Sequence, residues 1–186
     1  MAASAVGYYG NRGDAVLTEE AGAGRGFLAQ VCAAWEAATE GLAPRVAHMR
    51  FGIVLSARGG ALPRLLPLFR FGLGARLGCG RQWMSWVSRR DVVQAIDFVI
   101  ARPELAGVFN TTAPHPVMNV DFTRILARRL QRPALFWVPS VVLRAMLGDM
   151  AQEMLLASTR AVPERLQAAG FRFTHERLEP ALSDML

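Results

Sequence analysis

Arg50-Phe-Gly-Ile-Val-Leu-Ser56 and, after a Gly- and Arg-rich passage, Trp83-Met-Ser-Trp-Val-Ser-Arg-Arg-Asp91-Val92-Val93 are the residues whose reading decides the fold. Val46 to Leu55 is apolar and β-branched with no alternation between faces, as expected of a parallel strand buried on both sides. A strand of that kind needs helices over it. Leu62 to Phe71 supplies one, with Pro63 tolerated in its first turn and Pro67 as a kink. Gly72, Gly74, Gly78 and Gly80 then interrupt the pattern. From Arg90 to Ala101 the residues Val92, Val93, Ile96, Val99 and Ile100 share a helical face, and Pro103 marks its end. Val108 to Thr112 follows as a short strand.

Upstream, Ala2 to Gly10 is small and apolar up to a glycine, like a buried strand turning into a loop, and Asn11 to Gly26 reads as a surface loop. Phe27, Val31, Trp35 and Ala38 form one apolar stripe on a helix ending near Gly41. Downstream, helices are expected over Asn119 to Gln131, Ser140 to Ala157, Pro163 to Ala169 and Leu178 to Leu186, with Phe171 to Phe173 extended. Strands alternate with helices up to residue 112, and helices prevail afterwards. The chain is therefore read as α/β, an incomplete parallel sheet followed by a mainly helical lobe.

With 186 residues, 52% hydrophobic and 19% charged, the chain can bury a substantial core. Its net charge is +6, yet it contains no lysine: all 21 basic residues are arginine. Arginine clamps phosphate or carboxylate through two parallel bonds but cannot form a Schiff base or act as an ordinary proton shuttle. Lysine-dependent mechanisms are excluded. The arginines are scattered rather than gathered into one arm, so nucleic acid is not an expected partner. Cys32 and Cys79 give no disulfide framework, and His48, His115 and His175 stand apart from them and from one another, so no metal is expected. No leader and no bilayer-length apolar run is found, which points to a cytoplasmic protein with no membrane partner.

Several stretches together resemble one family. They are Ser4-Ala-Val-Gly-Tyr-Tyr-Gly10, Phe27 through Trp35-Glu36, Arg50 to Leu55, Gly59-Gly60-Ala-Leu62, Gly78-Cys-Gly-Arg-Gln-Trp83, Trp86-Val-Ser-Arg-Arg-Asp91, and Pro163-Glu-Arg-Leu166 with Ala169-Gly-Phe171. The family is that of the extended short-chain dehydrogenases/reductases, in particular the NAD-dependent epimerase/dehydratase-like subgroup once labelled as cell-division inhibitors. The resemblance covers nearly the whole chain and concerns only the C-terminal part of such enzymes. It implies the C-terminal half of a Rossmann-like NAD(P)-binding domain over residues 1–112, with a substrate-loop insertion around 56–90, and a mainly helical lobe over 113–186. NADP is the cofactor implied for a complete form, and the implied partner is a small-molecule substrate of the nucleotide-linked kind. The phosphate-cradling loop of such a fold is not found, so the isolated chain is expected to be catalytically silent.

The resemblance also nominates residues. The superfamily carries a catalytic Ser or Thr near the end of the strand that closes before Gly10, where Ser4 is the nearest hydroxyl. Typical members place a Tyr and a Lys four residues apart on the next helix, but Phe27-Leu-Ala-Gln-Val-Cys32 offers neither, leaving Tyr8 and Tyr9 as proton carriers. Phe51, Gly52, Ile53 and Val54 would run beneath the nicotinamide. Arg76 and Arg81, in a glycine-rich passage that lets backbone approach an anion, join Trp83 as substrate-binding candidates. Asp91 is expected to cap the helix that follows it, and the helix from Phe27 to Trp35 to pack in a core or a homodimer interface. The competing expectation is a non-enzymatic binding or regulatory module with an Arg-lined cleft for an anionic ligand or protein partner.

Overall fold

The computed structural model describes residues 1–42 and 44–186. Its elements run β1 (Ala2–Ala5), a 3₁₀ turn (Val6–Tyr9), β2 (Val16–Leu17), α1 (Phe27–Ala37), β3 (Ala47–Phe51), β4 (Ile53–Leu55), α2 (Ala61–Arg70), β5 (Ala75–Leu77), β6 (Trp83–Met84), β7 (Trp86–Ser88) and α3 (Arg89–Ile100). There follow β8 (Gly107–Thr111), β9 (Val117–Met118), α4 (Asn119–Arg129), β10 (Phe136–Val138), α5 (Ser140–Leu147), a π-helical turn (Ala151–Leu155), β11 (Arg160–Ala161), α6 (Glu164–Ala168) and α7 (Leu178–Met185).

The main sheet is parallel throughout, in the order β1-β3-β8, with Ser4 beside Arg50 and Arg50 beside Asn110. Residues paired in one row point to one face. Ser4, Arg50 and Asn110 therefore stand in line on the same side of the sheet. The alternate residues Met49 and Phe109 go to the other side, where they are buried with Ala95 and Val99 of α3 and with Phe171 and Phe173.

Gly52 splits the run expected as one strand. Its N–H donates to Thr111 O of the β8 edge at 3.1 Å, but the next donor, Ile53 N–H, turns to Ser85 O at 2.8 Å, and β4 goes on beside β7. A Cβ on Gly52 would lie 2.5 Å from Ser85 O, so only glycine lets the incoming backbone wedge in here. Beyond the wedge, Leu55 and Trp86 join Leu62, Leu66 and Phe69 of α2, Phe122 and Leu126 of α4, and Leu178 and Leu182 of α7 in a second core. Segment 56–90 thus shares one interior with α4 and α7.

Other boundaries differ for local reasons. Residues 11–26 contain β2, paired with β11, so the expected surface loop is stitched to the C-terminal lobe. The helix from Ser140 stops at Leu147 because Gly148 takes φ 59, and the chain re-forms only a π turn. Val93 and Ile100 are exposed, the buried face of α3 being Asp91, Ala95 and Val99 at i, i+4 and i+8. Ser88, not Asp91, is the N-cap: its Oγ accepts from Asp91 N at 3.0 Å. Asp91 is buried and ties down the C-terminal segment, accepting from Thr174 N at 2.7 Å and His175 N at 3.0 Å. On α1 the core half of the expectation fails. Phe27, Val31 and Trp35 are exposed, and the face turned to the sheet is the small one carrying Ala29, Cys32 and Glu36.

Candidate functional site

The face bearing Ser4, Arg50 and Asn110 is covered by α1 and the 3₁₀ turn. A buried arginine there requires a counter-charge. Glu36 provides it: Arg50 Nε donates to Oε1 at 2.8 Å and Nη2 to Oε2 at 2.7 Å, a two-pronged pair with both side chains nearly closed to solvent. Ser4 Oγ donates to the same Oε1 at 2.6 Å. Arg50 Nη1 donates to the Tyr9 hydroxyl at 2.9 Å, which in turn donates to Asn110 Oδ1 at 2.7 Å. Asn110 Nδ2 donates to Leu17 O and Val162 O, so the chain of bonds runs from α1 across the sheet to the β2–β11 stitch.

Burial would raise the Glu36 carboxyl, but hydrogen bonds from Arg50 and Ser4 outweigh it and hold the group below the usual carboxylate range. Burial pushes the Tyr9 phenol up, with the bond from Arg50 only partly offsetting it. Glu19 is also pushed up by burial; its Oε1 accepts from Asn110 N at 2.9 Å, while its Oε2 is buried with no partner among the described residues.

Of the three residues read as catalytic, Tyr9 is wholly buried with its hydroxyl committed on both sides. Tyr8 differs. Its ring lies against the Arg50 guanidinium, 3.4 Å from Cζ to centroid, is half-buried, and carries a hydroxyl with no hydrogen-bond partner among the described residues. Ser4 is half-buried and spends its proton on Glu36, leaving its oxygen lone pairs to accept.

Phe51, Gly52, Ile53 and Val54 straddle the wedge and are half-buried. Phe51 packs toward the α3 core and Ile53 toward the other, and the N–H groups of Gly52 and Ile53 are already used. One pattern was passed over in the sequence: Gly7, Gly10 and Gly13 keep a Gly-x-x-Gly-x-x-Gly spacing directly after β1. No α-helix opens there, only the 3₁₀ turn Val6–Tyr9. The turn packs on α1, and a Cβ on Gly10 would lie 2.7 Å from Arg25 O. The amides that open α1 are filled from within, since Glu153 accepts from Phe27 N and Leu28 N at 2.7 Å each. Ser4 and Tyr8 thus keep hydrogen-bonding capacity that suits the reactive end of a nicotinamide dinucleotide, and among the described residues no α-helix opens at the Gly7–Gly13 turn to cradle its pyrophosphate.

The substrate-binding candidates have separate partners. Arg76 lies on β5 facing Trp137, with 5.9 Å from its Cζ to the ring centroid. Trp83 donates from Nε1 to Asp14 Oδ1 at 2.9 Å and carries Arg160 on its ring. Arg81 is exposed. Sequence reasoning missed Glu36, Asn110 and Glu19; the available signals were a single acid late in an apolar helix and an arginine inside a buried strand. Among the described residues no group of three or more metal-ligating side chains occurs, and no helix is long and apolar enough to cross a membrane.

Residues 138–185 match a family model described as a domain of unknown function (DUF1731). Over 183 residues, 97% of the chain, the sequence is 51% identical to the epimerase family protein Mb2239 of Mycobacterium bovis, of which it spans 61%. The chain is similar to that epimerase family along nearly its whole length. The crystal structure of the human epimerase family protein SDR39U1 (isoform 2) with NADPH matches this chain with a TM-score of 0.94 at 29% identity, over 98% of this chain and 63% of its own. A nucleoside-diphosphate sugar epimerase from Corynebacterium glutamicum matches with a TM-score of 0.81 at 37% identity, over 99% of this chain and 36% of its own. These likenesses bear out the Rossmann-type α/β layer and the epimerase/dehydratase-like resemblance read from the sequence.

Proposed function

We propose that this chain is the C-terminal part of an NADP(H)-dependent oxidoreductase or epimerase that acts on a hydroxyl or carbonyl carbon of a small, nucleotide-linked substrate. The observation that carries the reading is that Ser4, Tyr8 and Phe51–Val54 stand at or just beyond the carboxyl ends of two adjacent parallel strands, β1 and β3. Open parallel sheets bind their ligands beyond those ends. The NADPH named with the human relative supports the choice of coenzyme.

When bound, the coenzyme supplies or takes up hydride. The chain's own residues orient and protonate. Glu36 fixes Ser4 so that its oxygen accepts from a substrate hydroxyl, and Tyr8, steadied on Arg50, carries the mobile proton. Tyr9, Asn110 and Arg50 hold that pair in place from beneath. The exposed stripe of Phe27, Val31 and Trp35 is the surface for a homodimer, and the two free cysteines suit a reducing, cytoplasmic setting.

The test is an NADPH fluorescence titration of two forms: this chain, and a longer form in which the N-terminal segment of the Mycobacterium bovis relative precedes it. Tight binding by the longer form and weak or no binding by the chain supports the reading. Equal binding by both, or by neither, contradicts it.

A further inference from the structure

A surface apart from Ser4, Tyr8, Arg50 and the wedge is built where β5 and β10 begin. The two strands run parallel with Phe136 opposite Ala75. The same register carries Pro133 to Gly72, where an added Cβ would lie 3.8 Å from Pro133 Cγ, so segments 71–74 and 132–135 run side by side. Phe69 faces the core beneath Gly74, which has no room for a side chain against its ring. Its neighbours turn outward. Phe71 is 81% exposed and Leu135 86%, and Leu68, Leu73 and Phe136 are exposed with them. Single exposed apolar residues are ordinary; five on adjoining segments are not.

The charge around them has one sign. Arg64 and Arg70 on α2 and Arg132 before Pro133 are exposed and form no ion pair among the described residues. No acidic residue occurs between Glu40 and Asp91 or between Asp121 and Asp149, the stretches that supply the patch. Helix dipoles favour arginine in a last turn, which accounts for Arg70 but not for the missing acids. Two occupants fit poorly. A second copy would set arginine against arginine across a two-fold contact. A peptide helix needs a groove, and side chains as exposed as Phe71 and Leu135 stand out from the surface instead of walling one.

We infer that this patch seats the protein on an anionic lipid surface: Phe71 and Leu135 enter the headgroup boundary, and Arg64, Arg70 and Arg132 meet lipid phosphates. Apolar tips beside arginine suit the zone between headgroups and acyl chains, because arginine stems pack with apolar matter while their charged ends stay at the headgroups. Lying on a membrane requires no spanning segment, so this surface departs from the sequence expectation of no membrane partner.

The experiment is co-sedimentation of this chain, and of the longer form described above, with vesicles of phosphatidylcholine alone or mixed equally with phosphatidylglycerol. Both forms partition onto the mixed vesicles at least about tenfold more strongly than onto the neutral ones. Phe71→Ser/Leu135→Ser keeps the net charge, alters only exposed positions, and loses at least about tenfold with an unchanged circular dichroism spectrum. Arg70→Gln/Arg132→Gln loses as much, whereas Arg25→Gln/Arg172→Gln, which removes the same charge from other exposed positions, loses less than about twofold. No partition onto mixed vesicles, equal partition onto both kinds, full partition by Phe71→Ser/Leu135→Ser, or equal losses from the two arginine pairs each overturns the inference. So does binding by the chain but not by the longer form, which would mean that the N-terminal segment covers the patch. Polyglutamate binding that is lost in Phe71→Ser/Leu135→Ser would assign the patch to an acidic protein and overturn it as well.

Discussion

Arg50 and Glu36, one in the middle strand of the main sheet and the other on the helix above it, form a two-pronged ion pair at 2.7 and 2.8 Å with side-chain exposures of 3% and 8%. Removing one partner strands a buried charge. Glu36→Gln should lower unfolding stability by about 3–5 kcal/mol in urea denaturation, and the Glu36→Leu/Arg50→Met double variant should cost less than either single change. A single-variant loss of only a few tenths would show that water reaches the pair. The folded Glu36 carboxyl lies below its unfolded value, so the stability it contributes is present above the ordinary carboxylate range and is lost as pH falls through the depressed folded value.

Glu19 has the opposite sign. Burial raises its carboxyl, so the folded state binds that proton more tightly than the unfolded chain, and stability drops as pH climbs from the ordinary carboxylate range through the raised folded value. Glu19→Gln removes this slope. Denaturation across that window should show wild type losing stability relative to the variant, and parallel curves would refute the assignment.

Tyr8 and Tyr9 are adjacent in sequence and separate in role. Tyr9→Phe leaves Asn110 Oδ1 and one Arg50 N–H without a partner and should cost about 1–3 kcal/mol. Tyr8→Phe keeps the ring on Arg50, should change stability by less than about 0.5 kcal/mol, and should depress NADPH-linked turnover in the longer form. Thermal melts of both variants separate the two roles; equal destabilisation would not fit.

The exposed apolar stripe on α1 is proposed to mediate self-association. Trp35→Asp should shift sedimentation toward monomer at a concentration where wild type is dimeric, with the circular dichroism spectrum unchanged. A wild-type monomer at all concentrations would refute the assignment.

The parallel layer and most helices were legible because their signals are local: an unalternating run at Val46 to Leu55, and caps and breakers around α3 and α4. The strand break was not. Gly52 changes partners because Ser85, thirty-three positions away, arrives beside it, and no pattern near residue 52 encodes that arrival. The α1 stripe was legible as apolar but not as outward, since periodicity reports a face without naming what covers it. Ser4, Tyr8 and Phe51–Val54 are candidates that the family resemblance nominates. Arg50 was read only as the opening of a strand, because burial of a charge becomes visible only with its partner in place.

Hydrogen–deuterium exchange of the longer form with and without NADPH tests most directly where the coenzyme meets this chain. The account predicts slowed exchange in residues 4–10 and 51–56, with the amides of α4 unchanged. Saturating NADPH that leaves both of those segments unaltered would contradict it.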